Sequence, residues 1–85
     1  MSPDVRLELT VQVLLTSFRL LRSGCFTAPA MLANLPASGW RLDEVESVLD
    51  FLVGRGTLRV FGTAKPETSV YFAGPNHPHH AGSLG

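Results

Sequence analysis

Apolar side chains recur at three- and four-residue spacing through Leu7, Val11, Leu14, Phe18 and Leu21, which stacks them along one side of a helix. Ser2-Pro3-Asp4 supplies the start of that helix, with a serine cap, a proline at the first helical position and an acid facing the positive end of the dipole. Ser23-Gly24 supplies the stop. A second apolar seam, Leu9, Val13 and Leu20, lies about 120° round the same helix. It reads either as a homodimer contact between paired first helices or as a second buried side of a central helix. Val5 to Val13 also alternates apolar and polar residues, so residues 4–9 read as helix or as an extended arm, and the capping signals favour helix.

Cys25-Phe26-Thr27 is long enough only for a brief extended bridge, after which Thr27 caps a short helix from Ala28 to about Leu35. Pro36-Ala37-Ser38-Gly39 turns the chain. A third helix runs from Arg41 or Leu42 to Gly54, with Leu42, Val45, Leu49 and Leu52 on one face and Val48 and Val53 beside them. Thr57 to Phe61 alternates as a strand, and a polar loop through Lys65 and Pro66 leads to a second strand, Val70 to Ala73. The pattern predicts a small α+β domain over residues 1–73, three helices and a C-terminal β-hairpin. Residues 74–85, rich in glycine, proline and histidine, read as a flexible tail with nothing to bury.

The stretch EVESVLDFLVGRGTLRVFGTAKPETSVYFAG resembles the winged helix-turn-helix superfamily: a recognition helix, a glycine stop and two strands of a wing. The opening LTVQVLLTSFRLLRSG is similar to the first helix of PadR-type and MarR-type bacterial repressors. The resemblance covers about Leu9 to Ala73 and is specific to the superfamily only. It implies a dimeric transcriptional regulator that reads double-stranded DNA with its third helix and touches the backbone with its wing. On that reading the DNA contacts are Arg41, Ser47, Arg59 and Lys65.

Charge changes the picture. Seven basic and seven acidic side chains cancel, so no net field draws the chain to phosphate. With Leu49 at the centre of the buried face, the outward arc of the third helix carries Asp43, Glu44, Ser47, Asp50 and Phe51. Carboxylates stand where a base reader needs arginine or an amide. The alternative is therefore a protein-interaction module that presents Asp43, Glu44, Asp50 and Phe51. The bland reading makes that arc a solvated face, with Phe51 tucked under the wing or against the second helix.

The remaining chemistry is sparse. Cys25 has no partner for a disulfide, which fits a reducing cytoplasm, and no histidine of the expected folded part could activate its thiol. His77, His79 and His80 lack the carboxylate or cysteine neighbours of a metal site. Trp40 reads as a cover over the open end of the core, or as an exposed contact point. With no nucleophile paired to a base, no metal spacing and no glycine-rich phosphate loop, neither an enzyme nor a cofactor is expected. No run is long and apolar enough for a membrane span.

Overall fold

The computed structural model describes residues 2–37, 39–62 and 68–77. They form a small α+β fold in the order α1 (Pro3–Leu20), a 3₁₀ turn (Leu21–Ser23), β1 (Phe26–Thr27), α2 (Ala28–Asn34), α3 (Leu42–Gly54), β2 (Leu58–Phe61) and β3 (Val70–Ala73).

The helix α1 begins where its capping residues put it. Ser2 is extended and its Oγ accepts the Val5 N–H at 3.3 Å, with Pro3 following. Residues 4–9 are helical, not an extended arm. Gly24, at φ +100°, takes the left-handed turn that ends the segment.

The inward face of α1 differs from the expected one. Leu9 and Val13 are 0% exposed, whereas Leu7, Val11 and Leu15 are 64%, 46% and 63% exposed. The seam offered as a dimer contact therefore faces this chain's own core, with Leu20 half-buried against it. Of the stripe expected inside, only Leu21 is buried, and Leu14 and Phe18 are half-buried. Two small hydroxyl residues, Thr16 and Ser17, complete the inward face. Ser17 Oγ donates to the carbonyl of Leu14, so a polar residue can point inward without an unmade bond.

Thr27 caps α2, its Oγ1 accepting the Ala30 N–H at 3.3 Å. In α3 the Arg41 N–H donates to Glu44 Oε1 at 2.9 Å, the carboxylate half of a capping box. The inward face of α3 is Val45, Val48, Leu49 and Leu52, all buried, with Leu42 half-buried at its start. These residues meet Leu9 and Val13 of α1, Met31 of α2 and Leu58 and Tyr71 of the sheet in one apolar interior.

The sheet is antiparallel in the order β1-β3-β2. Phe26 pairs with Tyr71, and Leu58, Arg59, Val60 and Phe61 pair with Ala73, Phe72, Tyr71 and Val70. The bridge before α2 is thus a third strand, and the Phe26 and Tyr71 rings stack across it at 5.7 Å. Leu58 and Tyr71 point inward while Arg59, Phe61 and Phe72 point out, as the two-residue period of a strand requires.

Packing continues past Ala73, where the flexible tail was expected to begin. The Gly74 N–H donates to the Thr57 carbonyl at 2.9 Å, and the Asn76 N–H to the Gly56 carbonyl at 3.0 Å. Asn76 Nδ2 also reaches the Arg55 carbonyl at 3.0 Å. This latch carries His77 into the interior, where it is 0% exposed. Its Nε2 lies 2.7 Å from Ser17 Oγ and its ring centroid 5.1 Å from that of Phe18. The single Ser17 hydroxyl proton is given to Leu14, so Oγ accepts from Nε2–H, which fixes the tautomer. A polar side chain is buried here because a matching polar group waits at the bottom of its site.

Candidate functional site

The outward face of α3 is the surface where chemistry collects. Asp43, Ser47, Asp50 and Phe51 are exposed and Glu44 is half-buried, as the helical period about Leu49 requires. Ser47, Phe51 and Arg55 follow one another at four-residue spacing, so they form a column along the helix. Phe51 is 45% exposed and does not tuck under a neighbouring element.

Two guanidinium groups hold that ring. Arg55 Cζ lies 5.7 Å from the ring centroid, and Arg6 Cζ, reaching across from α1, lies 5.8 Å from it. Arg6 Nη1 also donates to Ser47 Oγ at 3.1 Å, which fixes the guanidinium over the column. Each cation–π contact at such a site contributes about 0.5–1 kcal/mol. Together they flank an apolar ring that stays half-exposed at the surface.

Arg41, a candidate phosphate contact, pairs with Asp43 instead, Nε to Oδ1 at 3.2 Å. An exposed pair of this kind adds little stability, but it cancels Arg41's charge locally. Arg6, Arg41 and Arg55 therefore stand beside Asp43, Glu44 and Asp50 in a field of mixed sign. A depression at the start of α3 is lined by Arg6, Arg41, Asp43, Glu44 and Ser47, which combines most of these groups.

A second surface lies on the outer side of the hairpin. Phe61 is 70% exposed, and Phe72 and Arg59 are exposed beside it. Arg59 sits directly opposite Phe72, and Phe61 lies on the diagonal from it, within reach across the pair of strands. Lys65, the other expected wing contact, lies outside the described residues, as do His79 and His80.

Behind α3, burial and then the carboxylates of Asp50 and Glu46 hold the Tyr71 phenol above its usual value of 10.0. Trp40 is half-buried at the edge of the core and donates from Nε1 to Gln12 Oε1 at 3.2 Å, so it covers the interior as expected. Cys25 is exposed. The Ser17–His77 pair, although chemically a hydroxyl beside an imidazole, is closed off from solvent on both sides and serves as a pin between α1 and the latch. Among the described residues no cluster of three or more histidine, cysteine or acidic side chains is placed to hold a metal ion. No described helix is long and apolar enough to cross a membrane.

The expected arc of α3 is thus brought together at one surface, whereas Arg59 belongs to another. Sequence reasoning missed Arg6 and Arg55. The four-residue step from Phe51 to Arg55 was a usable signal. Arg6 had none, because only the packing of α1 on α3 brings it there.

No protein-family model, curated protein or solved structure matches this chain.

Proposed function

We propose that this chain is a winged-helix domain that docks on another protein through the outer face of α3. The scaffold is supported by the order of the elements and by a hairpin whose last strand pairs back to β1, before α2. The observation that carries the docking reading is Phe51, held half-exposed between Arg6 and Arg55 in a field of balanced charge. Aromatic residues and arginine are enriched where binding energy concentrates. A surface of mixed sign selects a partner of complementary pattern, not a uniform polyanion.

A DNA-reading regulator is the second reading. It is favoured by Arg6, Arg41 and Arg55 lying along α3 and by Arg59 exposed on β2. Against it, Asp43 and Asp50 would meet phosphates, and Arg41 is already paired.

The test is capture from native lysate on the full chain, wild type against Phe51→Ala, with and without nuclease, alongside binding of a duplex DNA library at several salt concentrations. The docking reading expects a protein that survives nuclease and is lost with Phe51→Ala. Duplex binding that weakens steeply with salt and with Arg59→Ala, and no such protein, would replace it with the DNA reading.

A further inference from the structure

β3 lies between β1 and β2, so β2 is paired on one side only. The phase of that pairing decides which backbone groups are left over. The Gly74 N–H donates to the Thr57 carbonyl, so this carbonyl points toward the β3 side and, across the trans peptide, the Leu58 N–H points away from it. Pairing then alternates along the antiparallel register: the N–H and C=O of Arg59 and Phe61 face β3, and those of Leu58 and Val60 face the open edge. Donors and acceptors therefore stand in a row along an unpaired side of the sheet.

Edge strands are ordinarily blunted by a proline, a lysine, a bulge or a covering element. Leu58–Phe61 carries neither proline nor lysine, and its register with β3 is unbroken over all four residues. Val60 and Phe61 are exposed. On the helix side of the edge, a groove of about 620 Å³ runs between the end of α3 and β2, lined by Val53, Gly56, Leu58, Val60 and Pro75. Leu58 and Val60 share the face of Tyr71, so side chains added beside them would enter this groove. On the opposite face Arg59 is exposed, and among the described residues its guanidinium forms no ion pair. The edge thus has an apolar side and a cationic side.

We propose that the free edge of β2 takes up an extended segment of another protein as a fourth strand, one that carries aliphatic side chains on one face and an acid on the other. Its backbone pairs with the N–H and C=O groups of Leu58 and Val60, the mode in which a strand is added to a sheet. The residues opposite Leu58 and Val60 are aliphatic and fill the groove. The residue between them points to the other face, opposite Arg59, and there a carboxylate meets the guanidinium across the pair of strands. A helix has already spent its backbone groups on itself, so a row of open donors and acceptors selects an extended chain. The edge of β2 and the outer face of α3 are separate surfaces, and neither reading needs the other.

The test is NMR titration of the full, isotope-labelled chain with a short synthetic peptide, blocked at both ends, whose middle reads valine, glutamate, valine. The shifts are expected at Val53 and along Leu58–Phe61, with slowed amide exchange at Leu58 and Val60. Val60→Pro removes an N–H from the open edge and none from the ladder with β3, and it weakens the peptide by at least about tenfold. Arg59→Glu reverses the preference between this peptide and one with lysine in place of glutamate, a reversal that a purely structural role for Arg59 would not produce. No binding, exchange at Leu58 and Val60 unchanged by the peptide, or a preference indifferent to Arg59→Glu would each overturn the proposal. So would self-association in sedimentation equilibrium that Val60→Pro abolishes, because the edge would then belong to a second copy of this chain.

Discussion

Replacing His77 with alanine tests whether the fold ends at the hairpin or beyond it. The imidazole is wholly enclosed, bonds Ser17 and packs on Phe18. Its removal forfeits a net hydrogen bond of about 1 kcal/mol, an aromatic contact of roughly 0.5–1.5 kcal/mol, and the packing of a ring whose space the neighbours refill only in part. Ser17 is not orphaned, because its hydroxyl still donates to Leu14. We expect a loss of about 3 kcal/mol, against a total of roughly 4–13 kcal/mol for a chain of this size. At about 4–8 °C for each kcal/mol, the midpoint falls by roughly 12–24 °C. Urea unfolding followed through the single tryptophan, Trp40, and thermal melting by circular dichroism measure it. Ser17→Ala costs about 1–3 kcal/mol by leaving the enclosed Nε2–H without this acceptor. The double variant isolates a coupling of about 1 kcal/mol between the two. A His77→Ala protein within about 0.5 kcal/mol of wild type, the range of ordinary surface changes, would refute the reasoning and return the boundary to Ala73.

Leu9→Ala costs about 2–5 kcal/mol while Leu7→Ala stays within about 0.5 kcal/mol, and a reversed order in urea unfolding would mean that α1 is turned the other way. Gly74→Ala destabilises strongly, because a Cβ there would press into the Gly56 carbonyl, 2.9 Å from its carbon, and lie 3.0 Å from the Leu58 nitrogen; both neighbours are backbone, and a melting temperature unchanged from wild type would contradict the latch. Tyr71, the only tyrosine, keeps its proton in the folded state at pH values where the unfolded chain, at 10.0, is losing its own. Its contribution is therefore intact below about pH 10 and declines as pH climbs from there through the raised folded value; Tyr71→Phe should flatten that decline in alkaline urea titrations.

Local signals were legible wherever the physics was local. Ser2 and Thr27 announce their helices by the bonds their hydroxyls make to backbone N–H groups three residues on, and α3 has a single apolar side, so its orientation followed from its period. The rotation of α1 did not. With apolar seams at both Leu7–Val11–Leu14–Phe18–Leu21 and Leu9–Val13–Leu20, periodicity alone could not rank them, and two hydroxyls on the buried side weakened the correct answer. The partner that meets Ser17 in the interior is His77, sixty positions away, and no window along the chain contains both. The pairing of β1 with β3 was hidden for the same reason, since two residues carry no strand pattern. The site shows the same division, with the arc from Asp43 to Phe51 readable on its helix and the Arg6 guanidinium beside it supplied by α1.

The central strand of the sheet is synthesised after both of its neighbours, and the imidazole that packs against the first helix follows it. Before β3 is available, β1 and β2 lack the strand that lies between them, and Ser17 lacks its bond to His77. Closure between such distant positions must be paid in chain entropy before any contact repays it. A nascent chain emerging from a ribosome would accordingly stay open until residue 77 has cleared the exit, then collapse in one late step, with helical segments present earlier but unfastened.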